Sequence, residues 1–230
     1  MKTELNFREI TNLDNFSGIV PIFPLSSVVF FPNTLLPLHI FEQRYKQMLC
    51  DALVSEKLIG MVLLKPGWEK DYFGNPEIYE VAGIGRIITS ETFDDGKSNI
   101  VLYGLKRVEI IETIDLEPYR KARIKILENK NESVESILKE KILYMILAWN
   151  EIIKDQKYKI NINKDLSLGR LTDVLASILI SNVFEKQKLL EELNVNKRAR
   201  KIISFLEDRL KVLEITSRKS NDILSKRNLN

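Results

Sequence analysis

The chain predicts an α+β fold, a bent and closed β sheet followed by a bundle of four helices, and three observations carry that prediction. Four prolines, Pro21, Pro24, Pro32 and Pro37, fall within seventeen largely apolar residues. Glycines at 83, 85 and 104 interrupt later β-type runs. After residue 128 the apolar spacing changes from strand-like to helical. A proline fixes its own φ and donates no backbone N–H, so a strand that bears one lies at a sheet edge, begins there or bulges. Interior glycines mark bulges or tight corners. Together they describe a sheet that curves back on itself.

Residues 1–18 are polar and without a sustained period, which predicts a flexible arm, with the fold beginning near Ile19. Within 41–54, Phe41, Tyr45, Met48, Leu49, Ala52 and Leu53 share one face of a helix. Residues 58–64 form a continuous apolar run, a buried strand. A loop over 65–79 holds the turn formers Pro66, Gly67, Gly74, Asn75 and Pro76, yet also Trp68, Tyr72, Phe73 and Tyr79. From Val81 the pattern is β. Asp95-Gly96 between two such runs predicts a type I′ hairpin turn, and residues 120–127 alternate charged with apolar residues. These elements make a β-rich subdomain over 19–128.

The helical half spans 132–217. Ser133 is placed as an N-cap, and Val134, Ile137, Leu138, Ile142, Met145, Trp149 and Ile152 follow at helical spacing. Further helices are expected over 168–180, over 184–193 and from about Asn196, joined by short links as in a bundle. Residues 218–230 read as a basic tail.

Composition excludes several functions. Hydrophobic residues make up 44% of the chain, enough for a proper core. The net charge is +3, and Arg218, Lys219, Lys226 and Arg227, set against Asp222, account for all of it. A neutral body argues against nucleic acid, whose binding displaces counterions with clustered basic residues. One cysteine, Cys50, and one histidine, His39, leave no intrachain disulfide and no structural zinc site, and no metal or cofactor is expected. His39 reads as a residue bordering the core, and Cys50 as a small buried hydrophobe on a helix. Asp94-Asp95 reads as a hairpin tip. Gly96-Lys97-Ser98 imitates the end of a phosphate-binding loop, but Glu91 stands where its first glycine belongs. Charge interrupts the N-terminal apolar residues, and no run of about 18 uncharged apolar residues follows, so a cytoplasmic protein without membrane contact is expected.

The motif Phe23-Pro24-Leu25, then Phe31-Pro32, then Pro37-Leu38 ahead of Phe41-Glu42-Gln43-Arg44-Tyr45, resembles the opening of the Lon protease N-terminal domain, which cereblon shares. Gly104-Leu105-Lys106-Arg107 is similar to that family's Gly-Leu-x-Arg strand. Leu171-Thr172-Asp173, Lys186-Gln187-Lys188-Leu189-Leu190 and Asn194-Val195-Asn196-Lys197-Arg198 are similar to its helical segments. The resemblance covers about residues 19–215.

It implies a PUA-like mixed β pseudo-barrel with a short helix and then a helical bundle, in which Phe23, Pro24, Leu25, Phe31, Pro32, Pro37, Leu38, Gly104, Leu105 and Arg107 are structural. It also implies a non-catalytic, stand-alone protein that binds exposed or unfolded polypeptide and passes it to a separate protease, and it allows a homo-oligomer. The family's ATPase and peptidase modules have no counterpart in the sequence, so no enzyme is expected. Trp68, Tyr72 and Phe73, large apolar groups among charges, are the candidate peptide-gripping residues. Three alternatives stand beside this one. A scaffolding module would meet a dedicated partner through its helices, a PUA-like RNA binder would bear a basic patch, and a hydrolase would need a polar constellation that the sequence does not offer.

Overall fold

The computed structural model describes residues 7–14, 16–71, 74–114, 118–131 and 136–227. Six strands form one sheet: β1 (Ile19–Leu25), β2 (Leu35–Ile40), β3 (Leu58–Leu63), β4 (Val81–Thr92), β5 (Ser98–Ile114) and β6 (Lys121–Leu127). Their order is β2-β5-β4-β3-β1-β6, and β6 pairs with β5 as well. That extra pairing closes a ring of β5, β4, β3, β1 and β6. Long β5 makes it possible, giving residues 98–103 to β2 and residues 107–114 to β6. β1 and β3 run parallel, and every other pair is antiparallel. With the helices described below, the fold is α+β.

The prolines of β1 sit inside the ring, not at its edge, because β1 changes partner midway. Residues 19–21 pair with β6 and residues 22–25 with β3. The N–H of Ile22 reaches Arg120 on the β6 side. By two-residue alternation Pro24 lacks its donor on that same side, beyond the point where β6 stops. Pro37 does lie in an edge strand, since β2 pairs with β5 alone.

The strand glycines answer to the segment between β1 and β2. A Cβ on Gly83 would collide with the carbonyl oxygen of Phe30, one on Gly104 with that of Phe31, and one on Gly85 with the Phe30 ring. The two phenylalanines, fully buried, lie directly on the β4–β5 backbone. A bulge falls at the same place: the register shifts between Ile84 and Gly85, where β5 carries Leu105 as an extra residue.

Helix α2 (Gln43–Leu53) lays Tyr45, Met48, Leu49 and Ala52 on a core with Phe23, Phe30, Ile40, Ile59 and Leu102. The rings of Phe23 and Tyr45 are 4.2 Å apart. A second cluster gathers Val20, Ile22, Val62, Ile84, Val108 and Ala122. β3 touches both clusters, which is why all six of its residues are buried.

Three local expectations need correction. Residues 7–14 and 16 are not a loose arm: α1 (Phe7–Thr11) is helical, and Leu13 and Phe16 pack on the second cluster. The β4–β5 hairpin is not type I′, because Gly96 has a φ of 74° while Asp95 keeps an ordinary one. Phe93 and Lys97 close the loop through an N–H···O bond of 2.9 Å, a type I turn finished by a left-handed glycine. Cys50 is exposed on α2, one position past the buried stripe.

The helices that follow are α3 (Ser136–Ile152), α4 (Leu168–Leu179), α5 (Val183–Glu191) and α6 (Val195–Arg227). The expected N-cap Ser133 lies outside the described residues, and α6 continues as helix into the basic tail. Two compact units emerge. One holds residues 1–128 with 173–193, the other 129–172 with 194–230. This grouping differs from a cut at 128–132, since α5 and most of α4 go with the sheet. In the first unit Gln187 donates to the Val81 carbonyl at 2.9 Å, and Asn182 caps α5 by accepting from the N–H groups of Phe184 and Glu185. In the second, α3 packs on α6, with Lys141 and Glu207 2.8 Å apart.

Candidate functional site

β2 offers an open edge. The N–H of Gly104 donates to Thr34 at 2.9 Å, which sets the pairing parity: Leu36, Leu38 and Ile40 turn their backbone groups toward β5. The bond from Phe93 N–H to the Lys97 carbonyl fixes the same parity from the other side, turning the odd-numbered β5 residues to β4. Leu35, Pro37 and His39 therefore point their backbone groups away from the sheet, and among the described residues no strand pairs with them.

Side chains along this edge are mostly apolar on both faces, His39 being the exception. On the outer face Leu35, Pro37 and His39 are exposed, and Phe41 follows with its ring 6.1 Å from the imidazole. Leu35 and Phe41 leave 62% and 59% of their surface to solvent, at the two ends of this outer row. Behind them on β5 stand Tyr103, Val101 and Asn99, and the last bonds to His39 Nδ1 at 2.8 Å. On the inner face Leu36 and Leu38 pack partly against the first core cluster. His39 is thus an exposed edge residue and not one that borders the core.

The motif residues divide by depth. Phe23, Phe31, Pro32, Gly104 and Arg107 are buried, whereas Pro24, Leu25, Leu38 and Leu105 are half-buried and Pro37 is exposed. Arg107 holds both carboxylate oxygens of Asp173 and donates through Nε to the Leu190 carbonyl at 2.9 Å. In the second unit Arg198 is equally deep and donates to Thr172 Oγ1 at 3.0 Å and to Asn129 at 3.1 Å. These buried polar groups hold helices and are out of reach of a ligand. Trp68 opens a 3-10 turn, Trp68–Asp71, and is half-buried. Tyr72 and Phe73 lie outside the described residues.

The first unit also bears two shallow cavities among its described residues. One of about 300 Å³ is lined by Glu9, Asn12, Leu13, Phe16 and Arg86, whose guanidinium donates to the carbonyls of Glu56 and Asn12. Burial lowers the pKa of that guanidinium, against the opposing charge of Glu56. The other, of about 270 Å³, is bordered by Asp51, Tyr119 and Lys121. Tyr119 donates to Asp51, and this bond, with a second from Gln47, holds the carboxyl below the usual range, while burial and Asp51 push the phenol up. Neither cavity pairs a nucleophile with a base. Among the described residues no three His, Cys, Asp or Glu gather as a metal site, and no helix is long and apolar enough to cross a membrane.

Pro37 allowed an edge strand at β2, beside a strand start or a bulge, without deciding among them. The alternation of Leu35, Pro37, His39 and Phe41 was its available signal, but nothing in the sequence says which strand is left without a second neighbour.

Comparison with known proteins identifies the family and the fold. The family model described as ATP-dependent protease La (LON) substrate-binding domain matches residues 19–208. Lon protease of Dictyoglomus thermophilum is 30% identical over 220 residues, covering 94% of this chain and 28% of the relative. That of Syntrophus aciditrophicus is 26% identical over 226 residues, with the same coverage of 94% and 28%. The chain thus spans little more than a quarter of the length of these curated relatives. Among solved structures, the N-terminal domain of Mycobacterium avium complex Lon protease has a TM-score of 0.61 at 14% identity, over 83% of this chain and 98% of that one. The Lon N-terminal domain protein from Xanthomonas campestris has a TM-score of 0.57 at 19% identity, over 81% and 97%. At such identities the likeness shows the fold.

Proposed function

Because this chain belongs to the ATP-dependent protease La (LON) substrate-binding domain family, we propose that it binds unfolded polypeptide without cleaving it and hands the bound segment to a protease. The observation that carries the reading is the exposed outer row of β2 and of Phe41 just after it, where Leu35 and Phe41 stand in solvent beside backbone that no strand pairs with among the described residues. Large apolar side chains exposed together are what binding surfaces use as anchors. The loop of Trp68, Tyr72 and Phe73 is a second contact in the same proposal, and a cytoplasmic role in protein quality control goes with it.

Fluorescence anisotropy with a reduced, carboxymethylated model protein tests the assignment. Leu35→Ser combined with Phe41→Ser is expected to weaken binding about tenfold or more, since each buried side chain is worth roughly 1.5–3 kcal/mol. Stability should hold, because neither side chain is in the core. Trp68→Ala with Phe73→Ala should give a smaller loss. Unchanged affinity in the first pair would remove β2 from the proposal, and unchanged affinity in the second would remove the loop.

A scaffolding role draws on one observation, the exposure of Ile137 and Tyr144 on α3, at 75% and 72%. Ile137→Ser with Tyr144→Ser would release a stoichiometric partner under that reading and leave binding of the model protein untouched.

A further inference from the structure

Among the described residues the outer edge of β2 has no paired strand, and its backbone groups set what can pair with it. Three residues turn outward: Leu35 and His39 each present an N–H and a C=O, while Pro37 presents a C=O alone. The edge thus offers two donors and three acceptors, with a donor missing at its centre. We infer that this edge takes an added antiparallel strand of about five consecutive apolar residues from an unfolded client, paired through alternate backbone groups and held loosely at Pro37. The inference rests on the proposed polypeptide-binding role and specifies the class of segment bound.

The demand for consecutive apolar residues follows from the two faces of β2. In an antiparallel pair, side chains directly opposite one another share a face. Client residues opposite Leu35, Pro37 and His39 would lie on the outer face, beside Phe41. The two residues between them would lie on the inner face, against the uncovered flanks of Leu36 and Leu38 at the rim of the core. The client strand therefore meets Leu36 and Leu38 on one face and, on the other, a mostly apolar row of Leu35, Pro37 and Phe41 that His39 alone interrupts. A segment alternating apolar with polar residues satisfies one face and buries polar groups on the other. Native proteins hide continuous apolar runs of this length in buried strands, so the preference selects chains that have lost their fold.

Pro37 acts on stability of the complex and on solubility of the protein. The client residue opposite it donates its N–H to the Pro37 carbonyl, but its own C=O finds no donor. A proline on an open edge also discourages edge-to-edge pairing between copies. Replacing it adds the missing donor.

The test uses the full chain, the reduced, carboxymethylated model protein and ten-residue peptides of equal composition. Of two parent peptides, the one with five consecutive apolar residues should bind at least tenfold more tightly than the one in which apolar residues alternate with serine. Single N-methylation along the continuous run should weaken binding at alternate positions and spare those between. Pro37→Ala should tighten the continuous peptide about three- to tenfold, the worth of one net hydrogen bond. If the model protein and the peptides bind, but N-methylation is uniform in effect and Pro37→Ala changes nothing, strand addition at β2 is wrong while polypeptide binding stands. If the model protein itself does not bind, both fall.

Discussion

Arg107 and Asp173 leave only 2% of their side chains to solvent, so their pairing, with the bond from Arg107 to the Leu190 carbonyl, stands in for water that both charges have lost. A buried pair of this kind adds little stability over an apolar pair, but breaking it strands a charge. Asp173→Ala is expected to cost about 3–5 kcal/mol in urea unfolding, and removing the exposed Lys141–Glu207 pair should cost far less. Arg107 was legible as a motif residue, but its acid lies 66 residues away and no periodicity connects the two. Gly104 has a similar history. Its place in a β run signalled a bulge, and the structure adds the Phe31 carbonyl lying where a Cβ would be. Gly104→Ala should therefore destabilise by about 1–3 kcal/mol or more, the usual range for overpacking. Gly60→Ala, whose nearest obstacle is an Ile22 methyl at 3.3 Å, should melt closer to the parent.

At the scale of elements, α2 is secured by more than its apolar stripe. The segment before β6 reaches it through Tyr119, whose hydroxyl donates to Asp51. Asp51 has a lowered pKa, chiefly from that bond, so its contribution is present above the ordinary aspartate value and disappears as pH falls through the lower folded value. Tyr119 has a raised pKa, chiefly from burial, so its contribution is present below the ordinary tyrosine value and disappears as pH rises through the folded value. Tyr119→Phe should accordingly lower stability by about 1 kcal/mol across the neutral range, after allowance for solvent screening. The difference from the parent should shrink below about pH 4 and above about pH 10, as chemical denaturation against pH would show. A constant difference at all pH would mean that the bond contributes nothing.

On the scale of the molecule, the chain does not divide at one point. It leaves the first unit after Glu128, returns at Asp173 and leaves again after Leu193. The sheet consequently depends on residues from the later half: Arg107 on Asp173 and on the Leu190 carbonyl, and the Val81 carbonyl on Gln187. A fragment ending at residue 128 would leave the Arg107 guanidinium without these partners. It is expected to show no cooperative thermal transition, whereas a fragment of 7–193 should retain the near-UV dichroism of the packed sheet. A sharp transition in the shorter fragment would show that the sheet is self-sufficient.

Elements were set by local chemistry. Apolar spacing of 3.6 or 2 residues and the punctuation of proline and glycine placed six strands and the major helices, because side-chain direction follows from backbone geometry alone. Motif order gave the family before any contact was known. Tertiary structure decided which strand closed the ring, which strand kept an open edge, and why Gly83 and Gly104 carry no side chain. Each of those depends on a neighbour far along the chain, and a linear pattern holds no record of which distant backbone will arrive beside it.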